Sequence, residues 1–227
     1  MKEKEIKIDD SDSFQTILTK FGAMALDKQE NFSQFIGENE GELNFDDGTI
    51  SFGNDLTFPA QIIGTLATDA NKWHWAWDNE DIGFPEAMIQ EAIKVKEFGE
   101  KHNITHFTSK FLGISLLEAH PIAMTVSSIF NDDAYYFTDF DSLTFIVTIK
   151  SNEIPKDETI ERFINVFNKF QKEFDIKPRL AFESYTKLRG YEFKKRDEFS
   201  VAKIGHSRVI VGFSERGKVT HIQTLLE

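Results

Sequence analysis

The sequence predicts an α+β fold, and three observations indicate it. Apolar residues recur at three- and four-residue spacing near the N-terminus and again beyond residue 158, as in amphipathic helices. In other segments apolar and polar residues alternate, which is typical of half-buried strands. A tight turn such as Asp47-Gly48 joins two alternating runs and favours antiparallel pairing. We therefore predict an antiparallel sheet meander packed by helices, with a second, smaller α+β segment at the C-terminus.

The first helix is predicted over residues 13–36, with Asp12 and Gln15 as its N-terminal cap and Gly37 as its stop. A meander follows over residues 42–78, in which Pro59 fits only an edge or a bulge. The apolar stripe of the helix consists of Phe14, Ile17, Leu18, Phe21, Ala25, Phe32 and Phe35.

A second helix is predicted from Pro85 to Asn103, and a third from Ser115, with a kink or restart at Pro121. Strands are expected in residues 134–150 and a strongly amphipathic helix over 160–174. Four further strands are predicted, at "RLAFESY", "FSVAKI", "SRVIVGFS" and "KVTHIQTLL". We expect residues 1–150 to form one α+β domain, and residues 151–227 to be a separate domain or an extension of the first sheet.

All three tryptophans lie in the segment "KWHWAWDNE", at positions 73, 75 and 77. In a strand they would share one face, with His74, Ala76 and Asp78 on the other. Core packing beneath the N-terminal helix is the favoured interpretation, because exposing three indoles would cost several kcal/mol at ~25 cal/mol per Å². The alternative is a ligand groove floored by the indoles, for which Trp73, Trp75, Trp77, His74 and Asn79 are the candidate binding residues.

Composition excludes several chemistries. The chain has no cysteine, so thiol catalysis, disulfides and Cys-ligated metal sites are impossible for it. Its 23 phenylalanines against 4 tyrosines indicate core building more than a binding surface. The charged N-terminus does not resemble a secretion signal, and no apolar run approaches the ~20 residues of a membrane span. A cytoplasmic protein is therefore expected.

Charge is unevenly distributed along the chain. Residues 1–150 carry 11 basic and 26 acidic residues, a net charge of −15, whereas residues 151–227 carry 15 basic and 12 acidic residues, a net charge of +3. An acidic body makes nucleic acid an unexpected partner and is compatible with a basic protein partner. Solubility alone is the simpler explanation of this charge.

The motifs that could carry chemistry are weak, and we predict no catalytic residue, metal site or cofactor. His102 and His106 have the spacing of two ligands on one helix, but Asn103 is expected to end that helix between them. Along a single strand His74 and Asp78 would lie ~13 Å apart, too far for direct pairing. Three acidic pairs could serve acid–base chemistry, of which the first two are interpreted as solvated turns: Asp46/Asp47, Asp132/Asp133 and Asp139/Asp141.

The segment "FPAQIIGT…WHWAWDN", with "DDGTISFG" before it and "AIKVKEFGEKHNI" after it, resembles a bacterial family of unknown function. That family is recognisable by a Leu-Gly-Thr strand followed by Trp-X-Trp-Ala-Trp-X-Asn, and the resemblance covers roughly residues 14–136. This chain departs from the pattern at His74 and Asp78. The resemblance implies no reaction, cofactor or catalytic residue. The matching positions are Gly64, Thr65, Trp73, Trp75, Ala76, Trp77 and Asn79.

Two classes of function follow from these observations. The first is a non-catalytic interaction protein whose acidic body binds a basic partner, for example an immunity protein that neutralises a toxin. The second is a small-molecule binder or hydrolase with a pocket beside the indoles. A purely structural subunit is a third class, and the oligomeric state is open.

Overall fold

The computed structural model describes residues 6–226 and confirms the α+β class. Residues 1–5 of the charged N-terminal segment lie outside the described part. The helices are α1 Phe14–Ile36, α2 Gln90–His102, α3 Thr105–Thr108, α4 Leu116–Ile129, α5 Ile160–Glu173 and α6 Pro178–Leu188. The strands are β1 Gly41–Asn44, β2 Thr49–Phe52, β3 Leu56–Ala67, β4 Lys72–Trp75, β5 Phe111–Gly113, β6 Ala134–Phe140, β7 Leu143–Ile149, β8 Glu192–Lys195, β9 Phe199–Ile204, β10 Ser207–Phe213 and β11 Val219–Leu225.

The chain divides into two compact units. Lys28–Lys156 form the central unit, which contains β1–β7 and α2–α4. Of the described residues, the terminal unit comprises 6–27 together with 157–226, so it contains α5, α6 and β8–β11. Helix α1 begins in the terminal unit and ends in the central unit.

The central unit is organised around β3, the long strand of a seven-stranded antiparallel sheet. On one side β3 pairs first with β2 and then with β4, and on the other side it pairs with β7. Strands β1, β5 and β6 extend the sheet outward from β2, β4 and β7. Pro59 lies opposite Thr49, and because Ala60 N–H donates to Gly48 C=O, the Pro59 nitrogen points away from β2. Pairing with β7 begins only at Ala60, so Pro59 occupies a local edge, as predicted.

Aromatic and aliphatic side chains from several elements fill the core of this unit. Phe32 of α1 contacts Phe52 and Phe58 edge to face, with ring centroids 5.3 and 6.3 Å apart. Tyr136 of β6 packs on Phe52 at 4.9 Å and accepts a hydrogen bond from Gly41 N–H of β1 at 3.2 Å. These contacts bring β6 close to β1, although the two strands extend the sheet from different neighbours, β7 and β2.

In the terminal unit, α5 and α6 pack with a four-stranded antiparallel sheet in the order β11-β10-β9-β8. Phe163 of α5 stacks on Tyr185 of α6 at 4.7 Å, and Phe167 contacts Phe182 at 5.1 Å. The strongly amphipathic helix predicted over residues 160–174 is confirmed as α5, which buries its aromatic stripe in this core.

A buried charge cluster stabilises the same unit. The Asp27 carboxylate accepts hydrogen bonds from Arg162 Nε at 3.0 Å and Tyr185 Oη at 2.8 Å, and it pairs with Arg189 at 3.0 Å. Each partner is almost fully buried, so the opposite charges compensate one another in place of water. The cluster joins α1, α5 and α6 and has a structural role.

Three local predictions are corrected. The N-terminal cap of α1 is Ser13, whose Oγ accepts from Thr16 N–H at 3.2 Å. Helix α4 continues through Pro121, so of the two predicted alternatives the restart is wrong and the kink stays a prediction, and Ser115 forms the predicted capping box. The segment "RLAFESY" is helical because Pro178 suits a first helical turn and the buried residues recur at helical spacing. Those buried residues are Ala181, Phe182 and Tyr185.

Candidate functional site

Two of the three tryptophans are core residues. Trp73 and Trp75 of β4 each have 0% exposed surface, and their rings meet edge to face at 5.1 Å. Trp75 donates from Nε1 to the His106 carbonyl at 3.1 Å and contacts Phe107 of α3 at 5.9 Å. The predicted packing of these indoles into a core is therefore observed. The ring of Phe107 that contacts Trp75 belongs to α3, whereas the sequence predicted that the N-terminal helix packs against the indoles.

The ring of Trp73 lies directly against Gly64 of the neighbouring strand. A Cβ added at Gly64 would lie 2.8 Å from the Trp73 ring and 2.9 Å from the His74 carbonyl oxygen. Both atoms belong to a close-packed interior that has little room to shift. Glycine at this position is therefore required by the close approach of the indole.

Replacing Gly64 by Ala is expected to lower the free energy of unfolding by about 1–3 kcal/mol, because overpacking forces the indole off its position. Urea unfolding monitored by circular dichroism measures the change. Gly113→Ala is the matched control in β5, since a Cβ there meets nothing within 4 Å. Equal stability of the two variants would contradict this account of the packing.

Trp77 does not share the face of the other two indoles, which corrects the prediction of a single row of three. Strand β4 ends at Trp75, and Ala76–Asp78 form a 3-10 turn closed by Asn79 N–H donating to the Ala76 carbonyl. Trp77 is half-buried, and Lys96 Nζ lies 4.7 Å from the centre of its ring. The prediction assumed that side chains alternate between the two faces of a strand as far as Trp77, but the strand ends two residues earlier, at Trp75.

The same turn brings His74 and Asp78 together. His74 Nε2 lies 3.5 Å from Asp78 Oδ2, so the sequence-based exclusion of a direct pair was wrong. Asp78 also binds Lys110 Nζ at 2.7 Å, and this hydrogen bond is the main reason that the pKa of Asp78 is lowered. The His74 ring packs on Phe111 at 4.2 Å. The side chains of His74, Asp78 and Lys110 therefore lie together beside the buried tryptophans.

Asn79 is buried and donates from Nδ2 to Thr65 Oγ1 of β3 at 3.2 Å. Together with the contact between Gly64 and the Trp73 ring, this hydrogen bond holds β3 against the tryptophan segment. The residues that the sequence singled out are thus brought together, and the contacts of Trp73, Trp75 and Asn79 are those of a packed core. A ligand role for these three residues, Trp77 and His74 stays a prediction.

A second cluster was missed by the sequence analysis. Glu91 of α2 and Asp132, which follows α4, have exposed fractions of only 9% and 3%, and each carboxyl group is near enough to shift the pKa of the other. Glu91 Oε1 also accepts from Thr148 Oγ1 of β7 at 2.6 Å. Lys28 donates to the Asp132 carbonyl at 2.6 Å.

Ionising both of two adjoining carboxyl groups costs much free energy when they are buried, because the negative charges repel each other and neither is solvated by water. Burial, with the neighbouring Glu91 charge, raises the pKa of Asp132 to about 9, and burial also raises the pKa of Glu91. The pair therefore holds a proton at neutral pH. The sequence interpreted Asp132 and Asp133 as a solvated turn; the turn is present, but it points Asp132 inward. No local signal in the sequence connects Glu91 with Asp132, because 41 positions separate them.

The histidine pair behaves as the sequence predicted. Helix α2 ends at His102, and Asn103 adopts a left-handed conformation with φ of 55°, so His106 lies beyond the helix end. Among residues 6–226, no group of three or more His, Asp or Glu side chains is positioned to hold a metal ion. Nor does the described part of the chain contain a helix with the length and apolarity of a membrane span.

A surface of the central unit combines aromatic rings with carboxylates, and we call it the acidic aromatic surface. Phe45 contacts Phe84 at 6.5 Å, Phe140 at 6.0 Å and Phe145 at 5.7 Å. Phe145 is buried beneath the others, whereas Phe140 is 53% exposed. Acidic residues adjoin Phe45 and Phe140 in sequence and precede Phe84 by three and four positions. All of them are exposed: Asp46, Asp47, Glu80, Asp81, Asp139 and Asp141.

Comparison with known proteins places the chain in a family. A family model described as a family of unknown function (DUF6882) matches residues 15–151. The chain belongs to this family. The DUF6882 match includes the tryptophan segment, the Glu91–Asp132 pair and the acidic aromatic surface, whereas α5, α6 and β8–β11 lie outside it. No curated protein and no solved structure matches the chain.

Proposed function

We propose that this protein is a non-catalytic interaction protein whose acidic aromatic surface binds a basic protein partner. The observation that carries the proposal is the convergence of three separate segments, each of which brings a phenylalanine together with acidic residues. These segments are residues 45–47, 80–84 and 139–141, and none of them contains Lys or Arg.

The arrangement has the anatomy of a protein interface. Aromatic side chains near the centre of a contact supply most of its binding energy, and a charged rim orients the partner. Phe140 supplies exposed ring area over the buried Phe145, while the rim carboxylates attract Lys and Arg and repel acidic proteins. Thr144 Oγ1 donates to Asp139 Oδ1 at 2.6 Å, which holds one rim carboxylate in place.

The tryptophan segment and the Glu91–Asp132 pair both support a non-catalytic role. Trp73 and Trp75 offer no exposed area to a ligand, and the Glu91–Asp132 pair lies below the surface, where a substrate cannot reach it without local opening. Each is explained by packing within the central unit. A toxin-neutralising immunity protein is one concrete form of the proposed function, since complementary charge steers an acidic protein to a basic partner.

Capture of partners from the native host tests the proposal. Wild-type protein is expected to retain a basic protein at low salt, and the double variant D139K/D141K to retain at least about 10-fold less of it, because like charges then meet across the contact. Quantitative mass spectrometry measures the retained protein. E97K/E100K is the matched control, since it makes the same change of charge at two exposed positions of α2.

Two results would contradict the proposal. One is recovery of the same proteins at the same abundance with all three baits. The other is a partner whose retention is insensitive to the D139K/D141K change while E97K/E100K removes it, which would place the contact elsewhere.

A further inference from the structure

Some of the aromatic rings that reach the surface of this protein are covered by its own cations. Lys72 Nζ lies 3.9 Å from the centre of the Phe111 ring, which is 45% exposed. Lys96 Nζ lies over the half-buried Trp77 in the same way, at 4.7 Å. These contacts are attractive because the face of an aromatic ring is electrostatically negative.

The outer rings of the acidic aromatic surface have no such cover. Within residues 6–226, no Lys or Arg lies over the ring of Phe45, Phe84 or Phe140. Each of the three rings belongs to a long stretch of sequence without Lys or Arg, and a cation that covers Phe140 would therefore come from another molecule. These stretches are residues 29–71, 73–93 and 111–149.

The ring of Phe140 is accessible and is held in place. Phe140 ends β6 opposite Leu143, and the turn Asp141-Ser142 leads directly into β7. Asp141 has the left-handed conformation typical of such tight hairpins, with φ of 54°. The Phe140 ring packs on the buried Phe145 at 5.7 Å with an interplanar angle of 87°, while 53% of the residue stays exposed. A ring fixed in this way loses little conformational freedom when it binds a partner.

Two carboxylates of the same surface are also held in place. Asp47 Oδ2 accepts a hydrogen bond from Asn44 Nδ2 at 3.0 Å, and Asp139 Oδ1 accepts from Thr144 Oγ1 at 2.6 Å. Each carboxylate has a second oxygen that can accept from a cationic partner. The surface therefore offers one exposed aromatic face together with positioned hydrogen-bond acceptors.

Arginine is the side chain that matches this combination. Its guanidinium is flat and weakly hydrated, so it can stack on an aromatic face while the N–H groups at its edge donate to carboxylates. The lysine ammonium is a compact, strongly hydrated charge without a flat face. An aromatic surface rimmed with carboxylates is therefore expected to distinguish between the two cations.

We propose that the acidic aromatic surface recognises an arginine side chain of its partner, with the guanidinium over Phe140 and its N–H groups donating to the surrounding carboxylates. This inference rests on the proposed function, because it names the residue by which the basic partner is bound. Phe140 is then the residue that sets the preference for arginine, whereas the carboxylates attract any basic protein.

Titration calorimetry of the purified full chain with three synthetic peptides tests the inference. One peptide alternates glycine with arginine, the second has lysine in place of arginine, and the third has citrulline, which keeps the planar shape of arginine without its charge. At ~150 mM salt, wild-type protein is expected to bind the arginine peptide at least about 3-fold more tightly than the lysine peptide. The citrulline peptide is expected not to bind measurably.

Phe140→Leu keeps an apolar side chain at this position and removes the aromatic face. The variant is expected to bind the arginine peptide about 2- to 5-fold more weakly than wild type, and to lose the preference over lysine. Phe199→Leu is the matched control, because Phe199 is 37% exposed in the terminal unit, and it should leave both affinities unchanged. Circular dichroism of each variant establishes that it is folded.

Three results would overturn the inference: equal affinity of wild-type protein for the arginine and lysine peptides, a preference for arginine that Phe140→Leu leaves intact, or no binding of the arginine peptide up to ~1 mM. The proposed function is judged separately by partner capture. A basic protein that D139K/D141K loses and Phe140→Leu retains in full would uphold that function without an arginine on Phe140.

Discussion

Replacing Trp75 by Ala is expected to lower the free energy of unfolding by about 3–5 kcal/mol, the range found when a fully buried aromatic side chain is truncated. Trp75 has 0% exposed surface and contacts both Trp73 and Phe107. Its removal would leave a cavity between β4 and α3. The hydrogen bond from its Nε1 to the His106 carbonyl would also be lost.

Urea unfolding followed by circular dichroism measures this loss without depending on tryptophan fluorescence. Trp77→Ala is the matched control, because Trp77 is half-buried and lies outside the face that Trp73 and Trp75 share. We expect its effect to be clearly smaller. A Trp75 variant that is as stable as wild type, with an altered response to small molecules, would instead favour the ligand-groove interpretation.

The Glu91–Asp132 pair is expected to make the protein lose stability as pH rises. The folded-state pKa of Asp132 is about 9 against an ordinary value of 3.8, so between those limits the folded chain holds a proton that the unfolded chain has released. The free energy of unfolding therefore falls with increasing pH across this window, by up to about 1.4 kcal/mol per pH unit for one proton. The raised pKa of Glu91 acts in the same direction.

Asp132→Asn removes this titration, and an amide can still donate to Glu91. The variant is expected to match wild type near pH 4 and to exceed it increasingly toward pH 8, by several kcal/mol at most. Urea unfolding at a series of pH values gives the comparison. Asp55→Asn, at an exposed turn, is the control and should follow the wild-type profile. Parallel profiles for wild type and Asp132→Asn would show that the pair does not share a proton.

Local pattern predicted most elements of this fold. The stripe of α1, the turn at Gly48, the stop at Asn103 and the capping box at Ser115 are each set by residues within one or two turns of one another, and all four are confirmed. The prediction at "RLAFESY" was wrong because a short apolar run does not distinguish strand from helix. In the folded chain, packing of Phe182 and Tyr185 against α5 selects the helix.

The candidate sites were less predictable, since each depends on contacts between distant segments. Burial of Trp73 and Trp75 was predicted from the cost of exposing indoles, and the structure shows it. The change of direction at Ala76, which separates Trp77 from them and brings Asp78 to His74, was not predicted. Likewise, nothing near Asp132 in the sequence indicates that Glu91 is its neighbour.

The sequence by itself determined the α+β class, the acidic and basic parts of the chain and the absence of thiol chemistry, and its prediction that the indoles are buried holds for Trp73 and Trp75. These follow from composition and short-range periodicity, which the chain carries whatever its tertiary arrangement. Only the tertiary structure decided which carboxyl groups are buried together and which rings meet at the surface. The reason is physical: a pKa, an ion pair or a binding surface depends on distances between side chains, and folding sets those distances across segments that are far apart along the chain.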